Sequence, residues 1–571
     1  MNVPRTIRRR EVVAPVGDWS PMPPLLQRIH AARGATTPGH AQPRLAQLLS
    51  PDSMGGLDGA TALLAEAIAR DRHIVVVGDF DCDGATACAV GVRGLRMLGA
   101  QRVSHAVPNR ITHGYGLSPG LVDDLAALQP ELLVTVDHGI ACHAGIAAAK
   151  ARGWQVLVTD HHLPGESLPT ADAIVNPNLR GDAFPSKMLA GVGVMFYVLL
   201  ALRRHLRVAG SLSAGEPDLS VLLDLVAVGT VADLVPLDAN NRALVGAGLR
   251  RLRAGQGCAG LRALIEVSGR DARTLTAADI GFGLAPRINA AGRLEDMALG
   301  IECLVSDDFG QAREIASALD EINAERRAVQ QQMTDEAGIA LARVALDGHA
   351  IAPALCLFDP EWHPGVVGLV ASKIKERVHR PVIAFAPAEP GSGMLRGSAR
   401  SIPGLHIRDA LASVDAAHPG LLGKFGGHAM AAGLSLALPD LPRFEQALCA
   451  QVERMLDPSL LHAEVVSDGE LQPHEFDRAN AEALRDGGPW GQGYPEPMFD
   501  GEFDVLNWRV VGERHLKLEL GCHGTRLNAI EFGGWTGERP PGRMRIAFRL
   551  EPDDYRGDDA VQLVVSHREP C

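Results

Sequence analysis

Read from the sequence alone, the chain is an α/β protein: a doubly wound, mostly parallel sheet, joined by a long helix to a smaller α/β domain and followed by an all-β domain. Three observations predict it. From His73 onward, apolar runs of strand length alternate with alanine-rich helical stretches, the spacing of an open sheet with helices on both faces. From Gln311 to Ala337 there is neither glycine nor proline, and Ile315, Leu319, Ile322, Val329 and Met333 recur at helical spacing. Near the C-terminus, Met544, Ile546, Phe548 and Leu550 alternate with Arg543, Arg545 and Arg549, the period of two that marks a strand with one buried face.

The elements follow in order. Residues 1–50 are rich in proline, arginine and glutamine without a sustained period, and read as an arm with short turns. His73–Gly78 reads as a buried strand, Ala85–Leu98 as a helix, Gln101–Val107 as a strand and Ser118–Leu128 as a helix. Glu131–Val136 is then a strand, Cys142–Ala151 a helix and Trp154–Thr159 a strand. In such sheets a ligand site lies beyond the carboxyl ends of the strands. The expected bounds are 51–310 for the first α/β domain, 311–348 for the connector helix, 349–457 for the second α/β domain and 465–571 for the all-β domain. At 1.5 Å per residue the glycine-free stretch alone spans about 40 Å, the length of a rigid connector.

Composition narrows the function. A chain of 571 residues that is 46% hydrophobic and 22% charged is globular and large enough for several cores, which excludes a mainly disordered or fibrous protein. Its 55 Lys+Arg against 68 Asp+Glu give a formal charge of -13, a poor coat for duplex DNA, whose binding relies on neutralised phosphates. A narrow basic track on an acidic protein remains compatible with nucleic acid: from Glu361 to Met430 there are eight Lys+Arg against five Asp+Glu. No apolar core follows Arg8-Arg9-Arg10, and the run Leu189–Leu202 is short of the ~20 residues that span a bilayer, so neither a signal peptide nor a membrane anchor is expected. Nine cysteines with no Cys-x-x-Cys pair argue against a disulfide framework or zinc ribbon and for a cytoplasmic setting.

The strongest chemical signal is Asp79-Phe80-Asp81-Cys82-Asp83-Gly84, directly after a buried strand. In an extended backbone residues two apart share a face, so three carboxylates would converge at the strand end. Like charges so packed repel unless a cation sits among them, and hard oxygen ligands suit Mg2+ or Mn2+. One Asp-x-Asp alone is more often a solvated turn. Here Asp137-His138-Gly139 ends the strand through Val136, Asp160-His161-His162 ends the strand through Thr159, and Asp233 follows the apolar run Leu222–Val231. Carboxylates gathered at one edge of one sheet predict a metal site.

These residues carry a resemblance. The chain resembles the DHH phosphoesterase superfamily, named for the motif seen here as Asp160-His161-His162, and within it the bacterial single-strand-specific 5′-to-3′ exonucleases. The matching motifs are Asp79–Gly84 with Thr86, Pro108–Arg110 with Thr112–Gly116, Asp137–Gly139, Asp160–His162, Gly229–Asp233, Pro286–Arg293 and, in the second domain, Gly426–Gly433.

The resemblance implies a catalytic set of Asp79, Asp81, Asp83, Asp137, His138, Asp160, His161, His162 and Asp233. Of these, Asp79, Asp81, Asp83, Asp137, His161 and Asp233 would bind two divalent ions, Mn2+ or Mg2+, with Asp137 as the bridge. Asp160 would orient His161, while His138 and His162 would face the scissile phosphate. Arg110, Ser398 and Arg400 would form a pocket for the DNA 5′ phosphate, with Asn109, His113, Arg287, Asn289, Gly427 and His428 as further substrate contacts. The segment His363–Gly368 would open a helix toward backbone phosphates, and Cys82 would be packing. The second α/β domain corresponds to the superfamily's DHHA1 domain and the tail to an OB-fold, whose Arg543, Arg545 and Arg549 with Trp508, Phe548 or Tyr555 would make a groove for bases, although Phe548 shares the apolar face and is expected in the core. The implied function is metal-dependent degradation of 5′-phosphorylated single-stranded DNA in recombination and repair, by a monomer that meets single-strand-binding protein and a RecQ-type helicase. The competing readings are a DHH oligoribonuclease or nucleotide phosphatase acting on short substrates, and a non-catalytic replication scaffold.

Overall fold

The computed structural model describes residues 5–11, 17–110, 112–212, 216–346, 352–389, 391–555, 557 and 559–571. The first sheet has five parallel strands in the spatial order Val103–Ala106, Ile74–Val77, Leu132–Val136, Gln155–Thr159, Ala173–Val175. Alternate side chains serve the two faces. Val75, Val77, Leu133, Val156 and Val158 pack against helices Pro119–Leu125 and His143–Ala151. Ile74, Val76, Leu132, Val134 and Leu157 pack against helices Leu57–Ala69, Cys82–Met97 and Gly191–Val208. Burial on both sides is why these strands read as continuous apolar runs in the sequence.

Two elements differ from the sequence expectation. The first strand ends at Val77, and Asp81 caps the helix Cys82–Met97, its side chain accepting from the Gly84 amide at 3.0 Å. Asp83 therefore lies in the first helical turn and not on an extended strand. Gly84 makes this possible, because a Cβ there would sit 2.5 Å from the Asp79 nitrogen. The apolar run before Asp233 is likewise no strand at the sheet edge but the buried helix Leu223–Ala232, with Asp233 at its C-cap.

The connector is a single helix, Phe309–Leu346, followed by residues 347–351, which lie outside the described residues. The second α/β unit carries a five-stranded mixed sheet ordered Phe425–Gly427, Ala431–Ala437, Met394–Arg400, Val382–Pro387, Leu355–Phe358. The C-terminal strands Phe499–Val511, His515–Cys522, Thr525–Glu531, Arg543–Pro552 and Val561–Pro570 close into a barrel around Phe499, Phe503 and Phe548. The three arginines expected to line a groove on this barrel all have carboxylate partners. Arg543 pairs with Glu502 at 2.9 Å, Arg545 with Asp500 at 2.7 Å and Arg549 with Glu551 at 3.0 Å, and Phe548 is fully buried.

The N-terminal arm has more structure than its sequence suggests. Arg5–Arg9 forms a strand parallel to Ala463–Ser467, and Arg8, Arg9 and Arg10 pair with Glu464, Asp500 and Asp468. Helix Pro24–Ala31 buries Leu25, Leu26 and Ile29 with Ala481 and Leu484 beside the barrel. The arm thus ties the first residues to the last domain.

Candidate metal centre and phosphate pocket

The strand order reverses direction between Ile74–Val77 and its neighbour Leu132–Val136, and at such a switch point the loops part to leave a crevice for a ligand. Asp79 follows one of these strands and Asp137 the other. Asp137 has a φ of 65°, a left-handed conformation that a non-glycine residue holds only under constraint from its surroundings. The start of helix Gly191–Val208 supplies that constraint. A Cβ on Gly191 would lie 2.5 Å from the Asp137 Cβ, and the amides of Gly191 and Val192 donate to Asp83 at 2.6 and 3.0 Å.

The acidic groups and histidines meet as donor sets. Asp79, Asp81 and Asp137 converge, as do Asp83, His161 and Asp233, and as do Asp137, His161 and His162, each set with its ligand atoms within 4.8 Å of one another. The His161 Nε2 lies 3.1 Å from an Asp137 oxygen and 3.6 Å from an Asp233 oxygen. Yet Asp79 Oδ1, Asp137 Oδ1 and His161 Nε2 are all buried without a hydrogen bond. Such atoms are costly to bury unless a cation completes them. The electrostatics agree: burial and then the Asp81 charge push Asp79 up to about 8 and Asp83 up to about 7, and burial and the neighbouring aspartates lift Asp137 and Asp233 well above the usual carboxylate range. Burial drives His161 down to about 3, leaving a neutral imidazole suited to ligation. The donor chemistry, carboxylates with one such imidazole, fits Mn2+ or Mg2+.

Asp160 differs from its expected role. Its Oδ1 accepts from the Nδ1 of His162 at 2.8 Å and from the amides of His161 and His162 at 2.7 and 3.0 Å, while Oδ2 accepts from Ile140 at 2.9 Å. It therefore orients His162, not His161; burial works against its ionisation, but these bonds hold its carboxyl well below the usual range. Burial opposes protonation of His162 as well, and Asp160, Asp79 and Asp81 outweigh it and raise the imidazole. His428, from the second α/β unit, stacks on His162 at 5.7 Å. His138 is fully buried with Nε2 3.1 Å from the Val77 carbonyl, so it braces the strand ends and does not face a phosphate. Cys82 is buried as expected, its thiol pushed well up by burial and by Asp81, Asp83 and Asp233.

An arginine pocket adjoins this centre. The Arg110 guanidinium lies 3.9 Å from the ring centre of Phe80, between two of the clustered aspartates, and its Nε donates to the Gly292 carbonyl. Arg400 donates to Ser398 at 2.9 Å, and a Cβ on Gly368 would sit 2.8 Å from both side chains, which brings the first turn of helix Val367–Val378 to the same place. Arg293 completes it. Burial, Arg110, Arg400 and Arg326 together lower its guanidinium to about 9 against the opposing pull of Asp81, the mark of crowded cations. Asn289 accepts from the Cys82 amide at 2.9 Å and shapes the acidic loop.

Four expected substrate contacts are engaged elsewhere. Arg287 donates to the Gly283 carbonyl and pairs with Asp320 of the connector helix at 2.8 Å. His113 lies between Asp124 at 2.9 Å and the Asn109 amide at 3.1 Å, and Asn109 accepts from Thr112 at 3.2 Å, so these two residues form their own loop. Gly427 holds a φ of 140° against Ala432 in a strand pair. Sequence reasoning passed over Arg293, the last residue of a motif it quoted, and Tyr115, whose hydroxyl lies 3.4 Å from the Asp137 carbonyl and whose ring meets Phe80, His138 and His162.

A doubly wound sheet whose fourth strand delivers Asp-His-His to a carboxylate centre, joined by one helix to a second α/β domain, defines a DHH-type phosphoesterase. Family models agree: residues 73–230 match the DHH family, N-terminal domain, 348–454 the DHHA1 domain and 467–567 the RecJ OB domain. The chain belongs to the RecJ family. It is 49% identical over 573 residues to the single-stranded-DNA-specific exonuclease RecJ of Salmonella typhimurium, covering 99% of each chain, and 50% identical over 579 residues to that of Dickeya dadantii, covering 100% of each. Among solved structures it is similar to RecJ of Thermus thermophilus in complex with Mn2+, at a TM-score of 0.81 and 31% identity over 99% of this chain and 80% of that one. The same protein has been solved with Mg2+, at a TM-score of 0.77 and 30% identity over 99% of this chain and 79% of that one.

Proposed function

We propose that the protein is a divalent-metal-dependent exonuclease that hydrolyses single-stranded DNA from its 5′ end, acting in recombination and repair. The observation that carries the reading is the contact of Arg110 with Phe80: a cationic pocket suited to a terminal phosphate sits one residue away from metal-ligating aspartates on either side. A strand anchored by its 5′ phosphate at Arg110, Ser398, Arg400 and Arg293 would present its first internucleotide phosphate to the carboxylates. That geometry gives polarity without reading any base.

Two divalent ions would be held by Asp79, Asp81 and Asp137 and by Asp83, His161 and Asp233, with an Asp137 oxygen also 3.1 Å from the His161 Nε2 of the second set. Bound there, such ions supply Lewis-acid activation of water and neutralisation of phosphodiester charge. The chain's own groups do the rest. Amides of Gly191 and Val192 fix Asp83, and the left-handed turn at Asp137 fixes that carboxylate. Asp160 holds the Nδ1 of His162, which leaves Nε2 to carry a proton toward a non-bridging or leaving oxygen. No covalent nucleophile is required, and Cys82 is buried packing.

Supported by family alone, the reading extends to a cytoplasmic monomer that meets single-strand-binding protein and a RecQ-type helicase. No helix among the described residues is long and apolar enough to cross a membrane. The test is digestion of a long 5′-phosphorylated single strand with Mn2+. Progressive release of mononucleotides from the 5′ end is expected; cleavage confined to dinucleotides would establish the short-substrate reading instead, and no metal-dependent cleavage would establish the scaffold.

A further inference from the structure

Helix Ala285–Leu294 touches the metal centre, yet none of the three donor sets includes one of its residues. Cys82 is the first residue of helix Cys82–Met97, and its amide is among the donors that a helix start leaves without an intrahelical partner. Asp81 caps this start through the Gly84 amide at 3.0 Å, and Asn289 takes the Cys82 amide at 2.9 Å from an element remote in sequence. A backbone N–H only donates, so the atom that faces Cys82 is the Asn289 oxygen. One turn further on, the helix meets the same loop again. A Cβ on Gly292 would lie 2.0 Å from the Phe80 carbonyl oxygen, and the Gly292 carbonyl accepts from the Arg110 Nε at 3.0 Å. Phe80 and Cys82 flank Asp81 in the chain, so the helix holds the backbone on both sides of one of the clustered aspartates.

The same helix is tied to the rest of the protein near both ends. Toward its start, Arg287 pairs with Asp320 of the connector helix at 2.8 Å. At its end, the Arg293 Nη1 donates to the Gly365 carbonyl at 3.2 Å, and a Cβ on Gly365 would lie 2.4 Å from the Arg293 carbonyl oxygen. Gly365 belongs to the second α/β domain, in the segment that leads to Gly368 and its contacts with Ser398 and Arg400. A helix of 10 residues is about 15 Å long and carries a displacement from one end to the other.

We propose that helix Ala285–Leu294 is a coupling strut and that Asn289 is a positioning residue for the metal ligands: the docking of the second α/β domain, passed through Arg293 and Arg287, sets the acidic loop through Asn289 and Gly292. Without Asn289 the Cys82 amide is left unpaired at the positive end of a helix, where it competes with the ion for the adjacent Asp81 carboxylate. The inference rests on the metal-centre part of the exonuclease reading and gives Asn289 a role in which it touches no substrate.

The test is Mn2+ binding to the full-length protein without DNA, read by titration calorimetry for the parent, Asn289→Ala, Asn289→Asp and Asp320→Asn, with kcat and KM on a 5′-phosphorylated strand measured alongside. Asn289→Ala should raise the Kd for Mn2+ about ten- to 100-fold, the effect of losing a group that orients a metal ligand, and should lower kcat with KM little changed. Aspartate keeps an oxygen for the Cys82 amide, so Asn289→Asp should recover most of the affinity and of kcat. A side chain that donated to phosphate would instead fare worse as aspartate than as alanine. Asp320→Asn loosens the strut from the connector helix and should raise the Kd about two- to 30-fold. Parent affinity for Mn2+ in Asn289→Ala, with or without a lower metal-free Tm, would overturn the positioning role, as would an aspartate variant weaker than the alanine one. An unchanged Kd in Asp320→Asn would overturn the coupling. Failure of the metal-centre reading would show differently, as an unmodified protein that binds no Mn2+, and would remove the role of the strut with it.

Discussion

Replacing Gly191 with alanine puts the geometry of the metal centre to a sharp test. The new Cβ would stand 2.5 Å from the Asp137 Cβ and 2.6 Å from its Oδ1. Non-bonded carbon atoms settle at about 3.5–4.0 Å, so either Asp137 or the start of the helix has to move by about 1 Å. Asp137 is already held in a left-handed turn, and moving the helix would withdraw the two amides that fix Asp83. Backbone preference alone predicts the opposite outcome, since alanine is favoured over glycine in a helix by about 0.8–1.0 kcal/mol. Overpacking costs roughly 1–3 kcal/mol, and misplacing a reacting group by about 1 Å costs on the order of a hundredfold in rate. The expected result is a drop in kcat of that order on a 5′-phosphorylated strand at saturating Mn2+, with a higher Mn2+ requirement. Gly193→Ala is the control, because its Cβ meets only the end of the flexible Leu189 side chain, at 3.1 Å. If Gly191→Ala kept the parent's kcat and metal requirement, the packing account of the centre would be wrong.

Four further outcomes follow from the same geometry. Asp83→Ala should abolish cleavage while leaving single-strand binding largely intact in a gel-shift assay; substantial remaining activity would contradict its ligand role. Arg400→Ala should cut the preference for 5′-phosphate over 5′-hydroxyl ends about ten- to 150-fold, the worth of a charge-assisted bond at about 1.5–3 kcal/mol, and an unchanged preference would place the pocket elsewhere. Asp160→Ala frees the His162 ring and strands three amides, so turnover should fall roughly 10–100-fold together with Tm, and loss of Tm alone would make Asp160 merely structural. Asp137→Asn removes one of several repelling buried acids, so Tm without metal should rise, while the Mn2+-dependent stabilisation, about 2.7 kcal/mol at a hundredfold excess over Kd in the parent, should shrink; equal stabilisation by Mn2+ in both proteins would remove Asp137 from the site.

What the sequence showed and what it concealed divide along physical lines. The strands Ile74–Val77, Leu132–Val136 and Gln155–Thr159 were legible because burial on both faces forces uninterrupted apolar runs. The helix start at Cys82 was misread as extended chain, although Asp81 three residues before its amide partner Gly84 is itself a capping signal. Adjacent residues at a strand end point to opposite sides, so nothing local distinguished which of His161 and His162 would take Asp160 as partner. Arg287 was assigned to substrate because its partner Asp320 lies on another element, and the arm was left without structure because Asp468 and Asp500, the acids that order it, lie in the last domain. For Arg287 and the arm the deciding contact is remote in sequence, where neither period nor motif reports it.

The formal charge of -13 then has a spatial meaning. The carboxylates at the sheet edge are mutually repelling and buried, and the arginines beside them are crowded and desolvated; each group alone is unfavourable. They relieve one another across Phe80, since Arg110 lowers Asp79 while Asp79 and Asp81 support the charge on Arg110. Full relief needs cations on one side and a phosphate on the other, the two components that meet in hydrolysis of a 5′-terminal nucleotide. The acidic total therefore excludes a broad coating of duplex DNA and leaves a narrow arginine path leading to the carboxylates. A protein organised in this way should bind metal and 5′-phosphorylated strand with positive coupling, each tightening the other. Titration of the strand into the Asp83→Ala variant at rising Mn2+ should show that coupling reduced relative to the parent.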